Sequence, residues 1–224
     1  MSDYPITSRN EVKRLPKRAV YDRDTVHRII DEALVCHVGF VQDQQPLVIP
    51  TLHARRGETL FLHGAKRSRL IEHVRAGNAV CAAFTLLDGI VLARSAFHHS
   101  VNYRSVVLFG RGNPVEGDED KLRALEAIVE HVAKGRWHEA RRPNRKELDA
   151  TAVVAIEIEA ASAKVRSGPP VDDEEDYQLP VWAGVLPLAL RPQSPIADPR
   201  LPPSLHLPDY LADYMGRGFR PPKE

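Results

Sequence analysis

The chain has 224 residues, 43% hydrophobic and 27% charged, with 31 Lys and Arg against 30 Asp and Glu. This describes a soluble globular protein of one domain, or one domain with an extension, and the near-neutral balance gives no reason to expect nucleic-acid binding. No apolar run approaches the roughly eighteen residues of a membrane helix, and the polar N-terminus does not read as a signal peptide. The expected location is therefore the cytoplasm, with no membrane partner.

Residues 1–20 are polar and basic, with Lys13, Arg14, Lys17 and Arg18 around Pro16, and read as a surface arm. From Asp24, a plausible N-cap, the spacing of Val26, Ile29, Ile30, Ala33 and Leu34 predicts a short amphipathic helix. The period then changes. Val35 to Val41, Leu47 to Leu52 and Thr59 to His63 read as strands joined by turns at Asp43-Gln44-Gln45-Pro46 and Arg55-Arg56-Gly57-Glu58, a β-meander. A helix is expected from about Ser68 to Ala76, ended by Gly77-Asn78. Strands follow at Ala79 to Leu86, Ile90 to Phe97 after a hairpin signal at Leu87-Asp88-Gly89, and Arg104 to Gly112. Asp118 to Val132 is a clear helix, residues 136–146 a basic loop anchored by Trp137, and Thr151 to Val165 a return to β. Short antiparallel strands with a few helices predict a mainly β fold, a small closed or nearly closed barrel spanning residues 21–167.

From Gly168 to residue 224 the composition shifts, with twelve of the eighteen prolines, so regular structure should be sparse. This extension should pack on the barrel or on a partner subunit. Its acidic run, Asp172 to Asp176, reads as solvated, and its last dozen residues as a disordered tail. Cys36 and Cys81 lie inside apolar runs and read as buried, reduced core residues. Cys36 and His37 are adjacent on a strand and so should face opposite ways, which argues against a Cys-His nucleophile.

Two stretches carry chemistry. In the first, the strand Leu60-Phe61-Leu62 ends in His63-Gly64, and Lys66, Arg67, Ser68 and Arg69 precede a helix. Backbone N–H groups, the helix dipole and cationic side chains could all address one phosphate there. A solvated turn is the plain alternative. In the second, Asn102, Tyr103 and Arg104 stand just before an apolar strand, either as an ordinary loop or as hydrogen-bond partners of a planar heterocycle or its phosphate. Ten histidines raise the question of a metal, but no pair has a helical His-x-x-x-His spacing, and no metal site is assigned.

Val35-Cys36-His37-Val38-Gly39-Phe40-Val41, Val48-Ile49-Pro50-Thr51, Leu60-Phe61-Leu62-His63-Gly64 and Ser68-Arg69 together resemble the flavin-binding split barrels. Within them the chain looks like the pyridoxamine 5′-phosphate oxidase-related group that includes the nitroimidazole-resistance flavoproteins. Leu87-Asp88-Gly89, Phe97-His98-His99-Ser100, Asn102 to Val106 and Pro180-Val181-Trp182-Ala183-Gly184 extend the likeness over residues 10–190. The resemblance implies an FMN-binding split β-barrel that works as a homodimer, with flavin at the subunit interface. Ile49, Pro50 and Thr51 would lie along the isoalloxazine. Lys66, Arg67, Ser68 and Arg69 would hold the phosphate, and His63 and Gly64 would sit beside the ribityl chain or ring. Asn102, Tyr103, Arg104 and Trp182 would reach the flavin from the second subunit. It further implies an oxidoreductase passing electrons from a reduced donor to a small organic acceptor, with no side chain named as catalytic. Deazaflavin and haem are the alternative cofactors, and a non-catalytic storage, sensing or protective module the alternative role. Residues 46–53 hold no lysine or arginine, and the chain ends in a proline-rich tail, not the family's substrate-binding arginine and histidine. Both departures point away from vitamin B6 oxidation.

Overall fold

The computed structural model describes residues 3–212 and 214. In chain order, β1 (Ala19–Val20) leads to α1 (Arg23–Glu32), β2 (Val35–Gln42), β3 (Gln45–Leu52), β4 (Ala54–Arg56) and β5 (Thr59–Ala65). Then come α2 (Arg69–Arg75), β6 (Ala79–Leu92), β7 (Ser100–Pro114), α3 (Asp118–Val132), α4 (Arg136–Glu139), α5 (Arg145–Ala150) and β8 (Thr151–Arg166). The extension adds β9 (Gly184–Pro187) and α6 (Asp209–Ala212). The sheet order is β3-β2-β6-β7-β8-β5-β4, all antiparallel, with β1 added to β8 and β9 to β6. The fold is mainly β, as the sequence predicts.

The core follows from strand alternation. Cys36, Val38 and Phe40 of β2, Leu60 and Leu62 of β5, Val80, Ala82 and Phe84 of β6, and Val106 and Leu108 of β7 all point inward. They meet Val154 and Ile156 of β8, Val26, Ile29 and Ile30 of α1, and Leu70, Ile71 and Val74 of α2. Burying a side chain of this size is worth about 1.5–3 kcal/mol. The opposite face of β2 carries His37, as expected of the residue next to the buried Cys36. Burial pushes the Cys36 thiol up to about 12, so it stays protonated; Cys81, by contrast, is only half-buried, because its side chain faces the outer side of β6.

Several local expectations change in three dimensions. Asp22, not Asp24, caps α1, its carboxylate accepting the Thr25 N–H at 2.8 Å. Leu87-Asp88-Gly89 is not a hairpin but a bulge inside the long β6, and the chain reverses later, through a 3-10 turn at Ala96–His98. Residues 136–146 contain α4 and the start of α5, the latter nucleated by a reciprocal capping box between Asn144 and Glu147. Asp172 is buried, not solvated, and accepts hydrogen bonds from the Arg94 and Ser95 backbone N–H groups at 3.0 and 3.2 Å. That contact and β9 tie the extension to β6 of its own chain. The expected disordered tail falls, Tyr214 apart, outside the described residues.

Candidate functional site

The meander expectation fails at one informative place. β3 and β4 follow one another with a single residue, His53, between them, yet β3 pairs only with β2 and β4 only with β5. His53 is fully buried and holds the break in place. Its Nε2–H donates to Ile30 O at 3.0 Å, and its ring packs 4.9 Å from Phe84 and 4.7 Å from His131. His131 in turn donates Nε2–H to Ala33 O at 2.8 Å, so both imidazoles satisfy carbonyls at the C-terminal end of α1.

The break opens a slot. β4 covers only Thr59 to Phe61 of β5, so Leu62 to Ala65 present an unpaired backbone edge, and β3 presents its own free edge. Ile49 is half-buried against the core, Pro50 is exposed and Thr51 is half-buried on that free edge. Proline at 46 and 50 suits an edge strand, where a missing N–H costs no ladder bond. On β5, His63 is half-buried. Its Nδ1 is sealed from solvent without a hydrogen-bond partner, and burial lowers the imidazole pKa, so the ring is held neutral. Gly64 stands where a Cβ would lie 3.1 Å from Ile71 Cγ1, so glycine lets α2 seat closely against β5.

At the end of the slot lies the cationic turn. Ser68 occupies the N-cap of α2, but its hydroxyl makes no capping hydrogen bond. The turn is closed by the Ser68 N–H donating to Ala65 O at 2.8 Å. Lys66, Arg67 and Arg69 are exposed, and none pairs with a carboxylate among the described residues. Three unneutralised cations around a free hydroxyl suit a phosphate, which takes charge-assisted hydrogen bonds from all of them. The donor set therefore fits a phosphate-bearing cofactor.

Residues 22–165 match the family model described as pyridoxamine 5′-phosphate oxidase. The chain belongs to that family. Among solved structures, the flavocytochrome Anf3 from Azotobacter vinelandii is 38% identical over 94% of this chain and 98% of its own, with a TM-score of 0.87. The FAD and heme binding protein from Mycobacterium smegmatis is 32% identical over 91% of this chain and 100% of its own, at 0.86. A Bacteroides thetaiotaomicron protein named for 5-nitroimidazole antibiotic resistance is 25% identical over 66% and 86%, at 0.56. Among curated proteins none matches. The likeness also establishes the split-barrel fold of this family member.

Within one chain the residues singled out from sequence form two groups. Ile49, Pro50, Thr51, His63, Gly64 and Lys66 to Arg69 gather around the slot and its turn. Asn102, Tyr103 and Arg104 lie at the start of β7 and Trp182 just before β9, at the end of β8 away from the cationic turn. Tyr103 pairs with Arg166 at one end of β8, whereas Ala65 pairs with Thr151 at the other. That is about 50 Å along the strand at 3.3 Å per residue. Arg104 is fully engaged there, donating to Glu32 at 2.8 Å and to Asp88 at 2.8 and 3.0 Å, and these two carboxylates raise its pKa. Asn102 is buried and donates to Gly168 O at 3.1 Å. Trp182 is 69% exposed, its indole lying over Gly184, where a Cβ would come within 2.8 Å of the ring. Sequence reasoning did not find the role of His53; a lone histidine between two strands carries no periodic signal.

Proposed function

We propose that this chain is a flavoprotein oxidoreductase, holding the isoalloxazine along the slot between β3 and β5 and the phosphate on the Lys66–Arg69 turn. The observation that carries the reading is the set of unpaired cations around the free Ser68 hydroxyl. The free backbone edge at Ile49–Thr51 supplies donors and acceptors for the heterocycle's polar rim, half-buried Ile49 an apolar flank and His63 a neutral aromatic one. A bound flavin supplies electron transfer between a reduced donor and a small organic acceptor; the protein contributes position, access and charge. FMN and FAD share the ring and the first phosphate, so the same turn suits either. One of the similar proteins is named for binding FAD, which favours the dinucleotide over the FMN that the family resemblance implies.

The working form in this reading is a homodimer in the cytoplasm. The outer face of the sheet supports it: Val41 and Val48 are 61% and 66% exposed, and Val35, Leu52, Leu87 and Val107 also stand open. Association through that face would bring the second group, Asn102, Tyr103 and Trp182, toward the partner's flavin. Among the described residues no helix is long and apolar enough to cross a membrane. The test is an absorption spectrum of the purified protein, followed by denaturation and identification of the released cofactor. Flavin bands, and their loss in a Lys66→Ala, Arg69→Ala double variant, are expected. A protein that carries no flavin and binds neither FMN nor FAD would overturn the reading.

A second reading adds a haem, supported by the flavocytochrome and the FAD and heme binding protein among the similar structures. His63 on β5 and His37, which faces outward opposite Pro50, have imidazoles without a hydrogen-bond partner among the described residues. Either could offer a nitrogen to iron, whereas the one free nitrogen of His53 is sealed in the core. A Soret band that disappears in His63→Ala or His37→Ala is the expected result. Its absence from protein reconstituted with haem would leave flavin alone.

A further inference from the structure

At the far end of the barrel, Arg166 closes β8 with only 9% of its surface exposed. A buried guanidinium normally has a carboxylate beside it, because taking its charge out of water is costly. Arg166 has none. Its Nη1 donates to the Asn102 side-chain oxygen and its Nη2 reaches Pro169 O at 3.5 Å, both neutral acceptors. A guanidinium has five N–H groups, and the others find no acceptor among the described residues. The acids nearby are committed elsewhere: Glu32 and Asp88 hold Arg104, and Asp172 holds Arg94.

What stands next to Arg166 is more positive charge. Ala19 pairs with Lys164, which brings the preceding Lys17-Arg18 turn alongside the end of β8. Neither the Lys17 nor the Arg18 side chain has a hydrogen-bond or ion-pair partner among the described residues. Across the ladder, Tyr103 is paired directly with Arg166 and offers a half-buried phenol. Burial and the neighbouring Arg18 both push the Arg166 pKa below its ordinary value, the response of a cation that lacks its counter-ion. Gly168, at φ 96°, turns the chain out of β8 and fixes the mouth of this corner with a backbone few other residues adopt.

We propose that Arg166, Arg18 and Tyr103 form an anion site that takes a phosphate or carboxylate group. The missing negative charge is supplied by the ligand, and the Asn102 carboxamide, held by Gly168 O, keeps the guanidinium aimed. The site stands apart from the cationic turn at the opposite end of β8, so it does not depend on the flavin reading. The same chemistry is offered by a free oxyanion or by a phosphate carried on a larger molecule.

The experiment is calorimetric binding and thermal unfolding of the full chain, with sodium phosphate against sodium chloride at matched ionic strength, and separately with FAD. The variants are Arg166→Gln, Arg18→Ala and, as a control, the Lys66→Ala, Arg69→Ala pair. Phosphate or FAD is expected to stabilise the wild type, and Arg166→Gln and Arg18→Ala to weaken binding by about tenfold or more. The turn variant should keep its response to phosphate. A response to phosphate alone would identify a free oxyanion, and an FAD response that Arg166→Gln weakens, without any to phosphate, a phosphate on a larger ligand. Should Arg166→Gln fail to fold, the half-buried Arg18→Ala decides. The proposal is overturned if neither ligand distinguishes the Arg166 and Arg18 variants from wild type, or if only the turn variant loses the response.

Discussion

Arg104 and Arg69 are both arginines that a sequence reader would assign to cofactor binding, and the fold treats them in opposite ways. Arg104 is locked between Glu32 at the end of α1 and Asp88 in the β6 bulge, with its donors consumed inside the protein. Arg69 stands on the surface beside Lys66 and Arg67 and, although Glu72 follows in the first turn of α2, makes no ion pair among the described residues. The first joins three elements; the second is left for something outside the chain. A cation's counter-ions, more than its place in a motif, separate architecture from binding.

The largest effect should come from the locked arginine. Arg104→Ala leaves two carboxylates facing each other, Glu32 only 15% exposed, and should cost about 3–4 kcal/mol of stability. Urea unfolding measures this directly. Flavin affinity of the folded fraction should hardly change, and a selective loss of flavin with normal stability would break the comparison. His53 sharpens it from inside the core. Desolvation, then the neighbouring His131, lowers its pKa to about 4, while the unfolded chain titrates at the ordinary value of about 6.5. The folded value is the lower one, so between these two values the unfolded chain binds the extra proton and stability falls as pH falls. About 3 kcal/mol should be lost by pH 4. Replacing His53 with leucine should flatten the dependence of the urea midpoint across that window; an unchanged slope would place the titration elsewhere.

The legible parts of the sequence were those written in local pattern. α3 falls on Asp118–Val132 as its apolar spacing requires, and Val35 to Val41 alternates as a half-buried strand should. The turn Lys66 to Arg69 was visible because charge density and a glycine are local too. The slot itself was not. It depends on β3 and β4 choosing different partners, a long-range decision made where His53 turns inward to α1. Nor could local pattern reveal that Arg104 is spent on Glu32, 72 residues away, or that Arg166 has no acidic partner among the described residues. Asp172 shows the same limit, since an acidic run looks solvated until Arg94 and Ser95 close on its first member.

At the cationic turn the expected signs reverse. Arg69→Ala should change stability by less than about 0.5 kcal/mol, as exposed substitutions do. It should nevertheless weaken flavin binding by about 1.5–3 kcal/mol, the range for a hydrogen bond to a charged group. Urea unfolding measures the first and titration of the apoprotein with FMN and FAD the second, and equal affinity in variant and wild type would move the phosphate elsewhere.

The smallest effect tests whether pairing alone is what matters. Arg145 of α5 pairs with Asp118 at the start of α3, but their side chains are 70% and 50% exposed, and Arg145 also reaches Asp149. Water screens such a pair and side-chain entropy opposes it, so an Arg145→Ala, Asp118→Ala cycle should show no measurable coupling at moderate salt. Arg104 would then differ from Arg145 by burial and from Arg69 by partners, and both are needed to make an arginine structural. A strong coupling between Arg145 and Asp118 would mean that geometry suffices without burial. In that case the bare cations of the turn would need a reason beyond the absence of an acid.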